Sequence, residues 1–166
     1  MATIGIFYGS TTGNTEGVAE KIKNQFGDNA EVINVADADR SQLESYKYLV
    51  LGASTWGIGD LQDDMDAFLD TLGEANLEGK KVALFGLGDA DGYPDSFVDG
   101  IKNIFDAVES KSKVVGQVAA DGYTYDASEA VVDDKFVGLP IDEDNESNLT
   151  DKRISDWVEG LKAEFN

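Results

Sequence analysis

The chemistry-bearing residues of this chain sit in three short loops. The first, Gly9-Ser10-Thr11-Thr12-Gly13-Asn14-Thr15, joins an apolar run to a segment with helical spacing and brings two glycines, four hydroxyls and an amide to a helix start. A helix start carries free backbone N–H groups and the positive end of the helix dipole, so such a loop suits an anion, a phosphate above all. The same residues also make an ordinary hydroxyl-capped turn. A nucleoside triphosphatase loop is excluded: three residues, not four, separate the glycines, and Asn14 stands where the phosphate-binding lysine belongs. The second loop, Ser54-Thr55-Trp56-Gly57-Ile58-Gly59, places a tryptophan past a buried strand, where it either plugs the top of the core or covers a ligand. The third, Gly88-Asp89-Ala90-Asp91-Gly92-Tyr93-Pro94, sets Tyr93 on another such turn, as a plain exposed tyrosine or as a second cover. Two aromatics beside a hydroxyl-rich anion loop suit a flat heterocycle that carries a phosphate.

Composition removes most other chemistry. The 166 residues include no Cys and no His, which excludes disulfides, thiolate and imidazole metal sites, thiol nucleophiles and histidine acid–base catalysis. Thirty-three acidic residues against 13 basic ones leave a net charge of −20, which opposes binding to nucleic acid or to anionic lipid and favours a basic partner. Two further patterns carry nothing. Gly86, Gly88 and Gly92 loosely imitate a dinucleotide fingerprint, but Gly86 lies inside a strand run and Asp89 and Asp91 would face the pyrophosphate. Asp142-Glu143-Asp144-Asn145-Glu146 lacks the turn glycine of a calcium loop and reads as a solvated acidic loop, with Thr150 as the N-cap of the helix that follows.

The elements that must position these loops alternate. Apolar runs at Ile4–Tyr8, Glu31–Val35, Tyr48–Gly52, Val82–Gly86 and Val114–Val118 predict five strands, the first, third and fourth apolar enough to be covered on both faces. Between and after them, helical spacing recurs at Val18, Ala19, Ile22 and Phe26; at Met65, Phe68, Leu69 and Leu72; at Val98, Ile101, Phe105 and Val108; and at Ile154, Trp157, Val158 and Leu161. A short helix is predicted near Ser41–Tyr46. This order predicts an α/β fold: a three-layer, doubly wound, five-stranded parallel sheet in a single domain over 1–166, with a polar excursion at 119–139 associated with the fifth strand. In such a sheet a ligand binds beyond the carboxyl ends of the strands, where all three loops lie. With no export signal and no apolar run near the ~20 residues that span a bilayer, a cytoplasmic, monomeric protein is expected.

At these residues the chain resembles the flavodoxins. Ser10-Thr11-Thr12-Gly13-Asn14-Thr15 is similar to their phosphate loop, Ser54-Thr55-Trp56-Gly57 to their first flavin loop, and Gly88-Asp89 with Gly92-Tyr93-Pro94 to their second. Phe136-Val137-Gly138-Leu139 with Asp142-Glu143-Asp144-Asn145 is similar to the long-chain members, whose fifth strand is interrupted by an insertion matching 119–139. The strand order 2-1-3-4-5 with FMN at the switch point is the family's own arrangement and comes from the resemblance. The resemblance further implies that Ser10, Thr11, Thr12, Gly13, Asn14 and Thr15 hold the FMN phosphate, and that Trp56 and Tyr93 stack on opposite faces of the isoalloxazine. It implies that the backbone at Gly57 and Ile58 meets the flavin N5, that Ser54, Thr55, Gly59 and Gly88 complete the two flavin loops, that Asp89 meets the pyrimidine edge, and that Asp144 meets the ribityl chain. Ala90-Asp91 departs from the amide and apolar pair of many relatives, and Gly57 is smaller than the usual residue.

The implied function is a low-potential single-electron carrier with noncovalently bound FMN, serving redox partners with basic docking surfaces such as flavodoxin reductases or low-potential acceptor enzymes. No cation occurs between Lys47 and Lys80, or between Lys81 and Lys102, so neither flavin loop carries positive charge. A carboxylate about 10 Å from a flavin, at an effective dielectric of about 40–80, disfavours added negative charge by roughly 0.4–0.8 kcal/mol, on the order of 20–35 mV for one electron. The rival is an FMN-dependent quinone or nitro reductase on the same fold, which needs a nicotinamide site and finds few basic residues near the loops. A phosphoacceptor receiver domain expects acidic residues where Gly9-Ser10 and Ser54-Thr55 stand.

Overall fold

The apolar runs beginning at Ile4, Tyr48 and Lys81 become strands that bury both of their faces, while the runs at Ala30–Asn34 and Lys113–Val115 are only partly buried. In the computed structural model, which describes residues 3–10, 13–56 and 59–165, the main strands are β1 (Ile4–Gly9), β2 (Ala30–Asn34), β3 (Tyr48–Trp56), β4 (Lys81–Leu87), β5 (Lys113–Val115) and β6 (Leu139–Ile141). The helices are α1 (Asn14–Phe26), α2 (Arg40–Glu44), α3 (Asp63–Glu74), α4 (Gly100–Val108) and α5 (Thr150–Glu164). Alternate residues of one strand serve opposite cores. Phe7, Leu49, Leu51 and Leu84 pack with α3 and α4, while Ile6, Val50, Ala83 and Phe85 pack with α1 and α5. That division gives three layers and explains why these strands read as continuous rather than alternating apolar runs.

The sheet runs β2-β1-β3-β4 with every pair parallel, and both β5 and β6 lie against β4. Val114 pairs with Val82 at the start of β4 and Pro140 with Gly86 near its end, so β5 and β6 are two halves of one fifth strand. The predicted order 2-1-3-4-5 holds. The boundary of the break differs from the prediction. The strand stops at Val115, because Gly116 takes φ 81° and turns the chain out, and the return is made at Gly138, where a Cβ would sit 2.4 Å from the Leu84 carbonyl oxygen. Inside the excursion, Val118–Ala119, Lys135–Phe136 and Val131–Val132 form a small antiparallel sheet. Its anchor is buried Phe136, with Tyr123, Tyr125 and Phe97 ring centroids 5.2, 5.3 and 6.1 Å away.

Helix ends received less guidance from the sequence. Thr150 is the first helical residue of α5 rather than its cap, since a 3-10 turn at Ser147–Leu149 already leads into the helix. On α4, buried Ile104 takes the core position expected for half-buried Phe105. α2 begins with a capping box in which Asp39 Oδ1 accepts from Gln42 N at 2.8 Å and Gln42 Oε1 from Asp39 N at 3.1 Å. Three lysines close carbonyl ends at the pole opposite the loops. Lys80 donates to the carbonyls of Glu44, the last residue of α2, and of Tyr46 just beyond it, Lys111 to those of Leu72 and Gly73 of α3, and Lys81 to that of Glu164 of α5. A cation at a helix carboxyl end is worth about 0.3–1 kcal/mol. Partial burial lowers the Lys80 pKa despite the nearby Glu44.

Candidate functional site

The three loops converge on one cleft of about 200 Å³ beyond the carboxyl ends of β1, β3 and β4, lined by Asn14, Thr15, Ser54, Thr55, Trp56, Leu87, Gly88, Asp89, Tyr93, Glu143 and Asp144. A wider depression of about 740 Å³ lies at the opposite pole, but its Lys80, Lys81 and Lys111 are already tied to helix carbonyls. Trp56 and Tyr93 are 41% and 44% exposed, the large hydrophobic side chains left open among the described residues. Both belong to this one cleft, as a binding surface for a flat ring requires.

The end of the cleft at α1 is a shaped backbone. Gly13 adopts φ 94°, which opens the first turn of α1, and its N–H donates to Ser10 Oγ at 3.0 Å. A Cβ at Gly13 would meet only open space, so the glycine is required by its left-handed φ and not by crowding. Thr15 is buried at 2% exposure beneath it. Glu16, the acid of this first turn, accepts from Tyr8 Oη at 2.7 Å; burial first, and then Glu16, pushes the Tyr8 phenol up to about 12.

On the Tyr93 side, Asp89 organises its own loop. Its Oδ1 accepts from Gly92 N at 2.8 Å, Asp91 N at 3.2 Å and Asn145 Nδ2 at 2.8 Å, while its carbonyl accepts from Tyr93 N at 2.9 Å. The Gly92 amide, followed by Asn145, holds the Asp89 carboxyl below its ordinary pKa. Asp142 ties this loop to the next: fully buried, it accepts from Ala90 N at 3.1 Å and from Asn145 N at 3.0 Å. Asp144 lies at the cleft rim, its pKa raised by partial burial and then by the Asp89 and Asp142 charges. A hydroxyl-bearing ligand chain would supply donors to these oxygens.

Trp56 rides on a hairpin. Thr55 pairs with Leu61 and Trp56 with Asp60 in antiparallel register, and Gly59 takes φ 104°. Thr55 Oγ1 accepts from Gly100 N at 2.9 Å, so this predicted cofactor contact is engaged with α4. The predicted Thr11, Thr12, Gly57 and Ile58 lie outside the described residues. The others, Ser10, Gly13, Asn14, Thr15, Ser54, Thr55, Trp56, Gly59, Gly88, Asp89, Tyr93 and Asp144, sit in the three loops or the acidic loop after β6. Sequence reasoning missed the tying roles of Asp142, Asn145 and Gly100, whose bonds to Ala90, Asp89 and Thr55 span 52, 56 and 45 positions.

Comparison with known proteins bears directly on this arrangement. The family model for flavodoxin matches residues 6–157. A flavodoxin of Helicobacter pylori is 49% identical over 165 residues, covering 99% of each chain. The chain belongs to the flavodoxin family. A flavodoxin of Synechococcus elongatus is 45% identical over 168 residues, again covering 99% of each. The crystal structure of Fusobacterium nucleatum flavodoxin bound to flavin mononucleotide superposes with a TM-score of 0.94 at 37% identity, over 100% of both chains.

Proposed function

We propose that the protein is a low-potential single-electron carrier that binds FMN noncovalently in the cleft between the Trp56 and Tyr93 loops. The observation that carries this reading is the placement of two exposed aromatics on a cleft that also contains the start of α1. A solved family member bound to flavin mononucleotide supports it. In this reading the neutral donors of Ser10, Thr11, Thr12, Asn14 and Thr15 hold the phosphate without a countercharge, Trp56 and Tyr93 enclose the ring, the backbone at Gly57 and Ile58 meets N5, and the Asp89 loop meets the pyrimidine edge. Asp144 accepts from the ribityl hydroxyls. The bound flavin supplies the one-electron chemistry; the protein orients it, excludes water and sets its potential.

The low potential follows from charge. Asp60, Asp63, Asp64 and Asp66 are exposed on the hairpin and first turn of α3, and Asp91 and Asp95 are exposed beside Tyr93. Each disfavours added electron density nearby, and together they present an acidic face to a basic redox partner in the cytoplasm. No helix among the described residues is long and apolar enough to cross a membrane.

Purification followed by anaerobic reductive titration tests the reading. A yellow protein that takes up electrons in two separate one-electron steps, and binds FMN far more tightly than riboflavin, agrees with it. Equal affinity for the two flavins sinks the phosphate assignment, and steady oxidation of NADPH with turnover makes the protein a reductase instead.

A further inference from the structure

Strand β3 outruns its sheet. Its last parallel partners are Gly9 opposite Ala53 and Leu87 opposite Ser54, so beyond them Thr55 and Trp56 are paired only with Asp60–Leu61 among the described strands. A two-stranded hairpin is marginal by itself in water. Yet this one carries half of the aromatic enclosure.

The corner Asp99–Gly100, at the amino end of α4, meets the hairpin at two points. Gly100 N donates to Thr55 Oγ1 at 2.9 Å, which satisfies one of the N–H groups that every helix start leaves open. A side chain at Gly100 would force the hairpin to give: a Cβ would lie 2.9 Å from Thr55 Oγ1 and 2.9 Å from Leu61 Cδ1, the two partners of one hairpin rung. At the hairpin tip, a Cβ on Gly59 would come within 3.0 Å of Asp99 Oδ2. Asp99 is itself anchored, buried at 8% exposure with Oδ1 accepting from Glu129 N at 2.8 Å. Val98, just before it, is buried with φ 49°, an unfavourable conformation for a β-branched residue that its surroundings must hold in place. The corner is therefore a fixed surface, and the hairpin leans on it.

We propose that the Asp99–Gly100 corner is the positioning element for Trp56, acting through Thr55 and Gly59, and that it sets how tightly the flavin ring is held. On this account Thr55 is a positioning residue whose hydroxyl serves α4. The proposal rests on the FMN reading above.

The test is a double-mutant cycle read as FMN affinity of the apoprotein, with folding checked by circular dichroism. Thr55→Val keeps the side-chain shape and leaves the Gly100 N–H without its acceptor. It should weaken FMN binding about tenfold, the scale of an unsatisfied buried donor, while Thr55→Ser should stay within about threefold of wild type because the hydroxyl remains. In a Trp56→Ala background the Thr55→Val loss should shrink to less than about threefold, since a residue that acts through Trp56 has nothing left to position. Gly100→Ala, which strengthens the helix but pushes the hairpin away, should repeat the pattern and serves if Thr55→Val does not fold. Fully additive losses in the cycle, or wild-type affinity in both Thr55→Val and Gly100→Ala, overturn the proposal. A wild-type protein that binds no FMN overturns the functional reading and this proposal with it, a result distinct from additivity.

Discussion

The turn at Asp133-Asp134 joins Val132 to Lys135, and both of its residues have positive φ, 54° and 69°. Two left-handed residues in a two-residue hairpin loop make a type I′ turn, for which Asn-Gly is the preferred sequence. A left-handed conformation costs an ordinary L-residue about 1–2 kcal/mol, and Asp somewhat less because its short side chain bonds locally. Replacing Asp134 by Gly removes that strain but gives the unfolded chain more freedom, so the net stabilisation should be roughly 0.5–1 kcal/mol. Asp133→Asn relieves the repulsion of two adjacent carboxylates and adds a few tenths of a kcal/mol. The double variant should then gain about 1 kcal/mol, or about 2–4 °C in melting temperature for a chain of this size. Urea and thermal unfolding of the apoprotein read the effect. A matched Asp133→Asn, Asp134→Asn protein removes the same charge while keeping an L-residue at φ 69°, and an Asp134→Ala protein keeps the strain without a polar side chain. The expected order of stability is Ala, then wild type, then Asn-Asn, then Asn-Gly. If Asn-Gly is no more stable than Asn-Asn, the backbone argument is refuted and only charge remains.

Removing either cover of the cleft should weaken FMN binding: Trp56→Ala by roughly 1–3 kcal/mol, on the scale of base–aromatic stacking, and Tyr93→Ala by a similar or smaller amount. Unchanged affinity in both variants would return these residues to the surface. With a net charge of −20 and an acidic rim at Asp60, Asp63, Asp64 and Asp66, association with a basic redox partner should slow steadily as salt rises; stopped-flow rates that stay flat or climb contradict the docking face. Burial pushes Tyr8, Tyr46 and Tyr123 to about 12 from an ordinary 10, with Glu16 adding to the shift at Tyr8 and Glu31 at Tyr46. The unfolded chain releases these protons first, so their contribution is whole below pH 10 and lost between about pH 10 and 12. A urea midpoint that does not fall across that window argues against it.

Some of this molecule is legible without coordinates because it is periodic. Strands such as Tyr48–Trp56 announce themselves through residues apolar on both faces, and helices α1, α3 and α5 through a single apolar stripe; packing in three layers produces both signals over a few neighbouring positions. The loops are legible for another reason, because hydroxyls at a helix start and two aromatics on glycine-containing turns, at Ser10, Trp56 and Tyr93, together suit a flat ligand that carries a phosphate. Other features belong to the tertiary structure alone. The hydrogen bonds of Thr55 with Gly100, of Asp142 with Ala90, of Asp89 with Asn145 and of Asp99 with Glu129 join residues separated by 45, 52, 56 and 30 positions. A polar contact at such separation needs one donor and one acceptor, both common in any chain, so no pattern marks it beforehand. The same holds for Lys80, Lys81 and Lys111, which read as surface charge until three helices end beside them. Local periodicity determined which segments are strands and helices, and their alternation already put the three loops at one end of the sheet; only the assembled structure decided which distant residues tie those loops together and what holds Trp56 above the cleft.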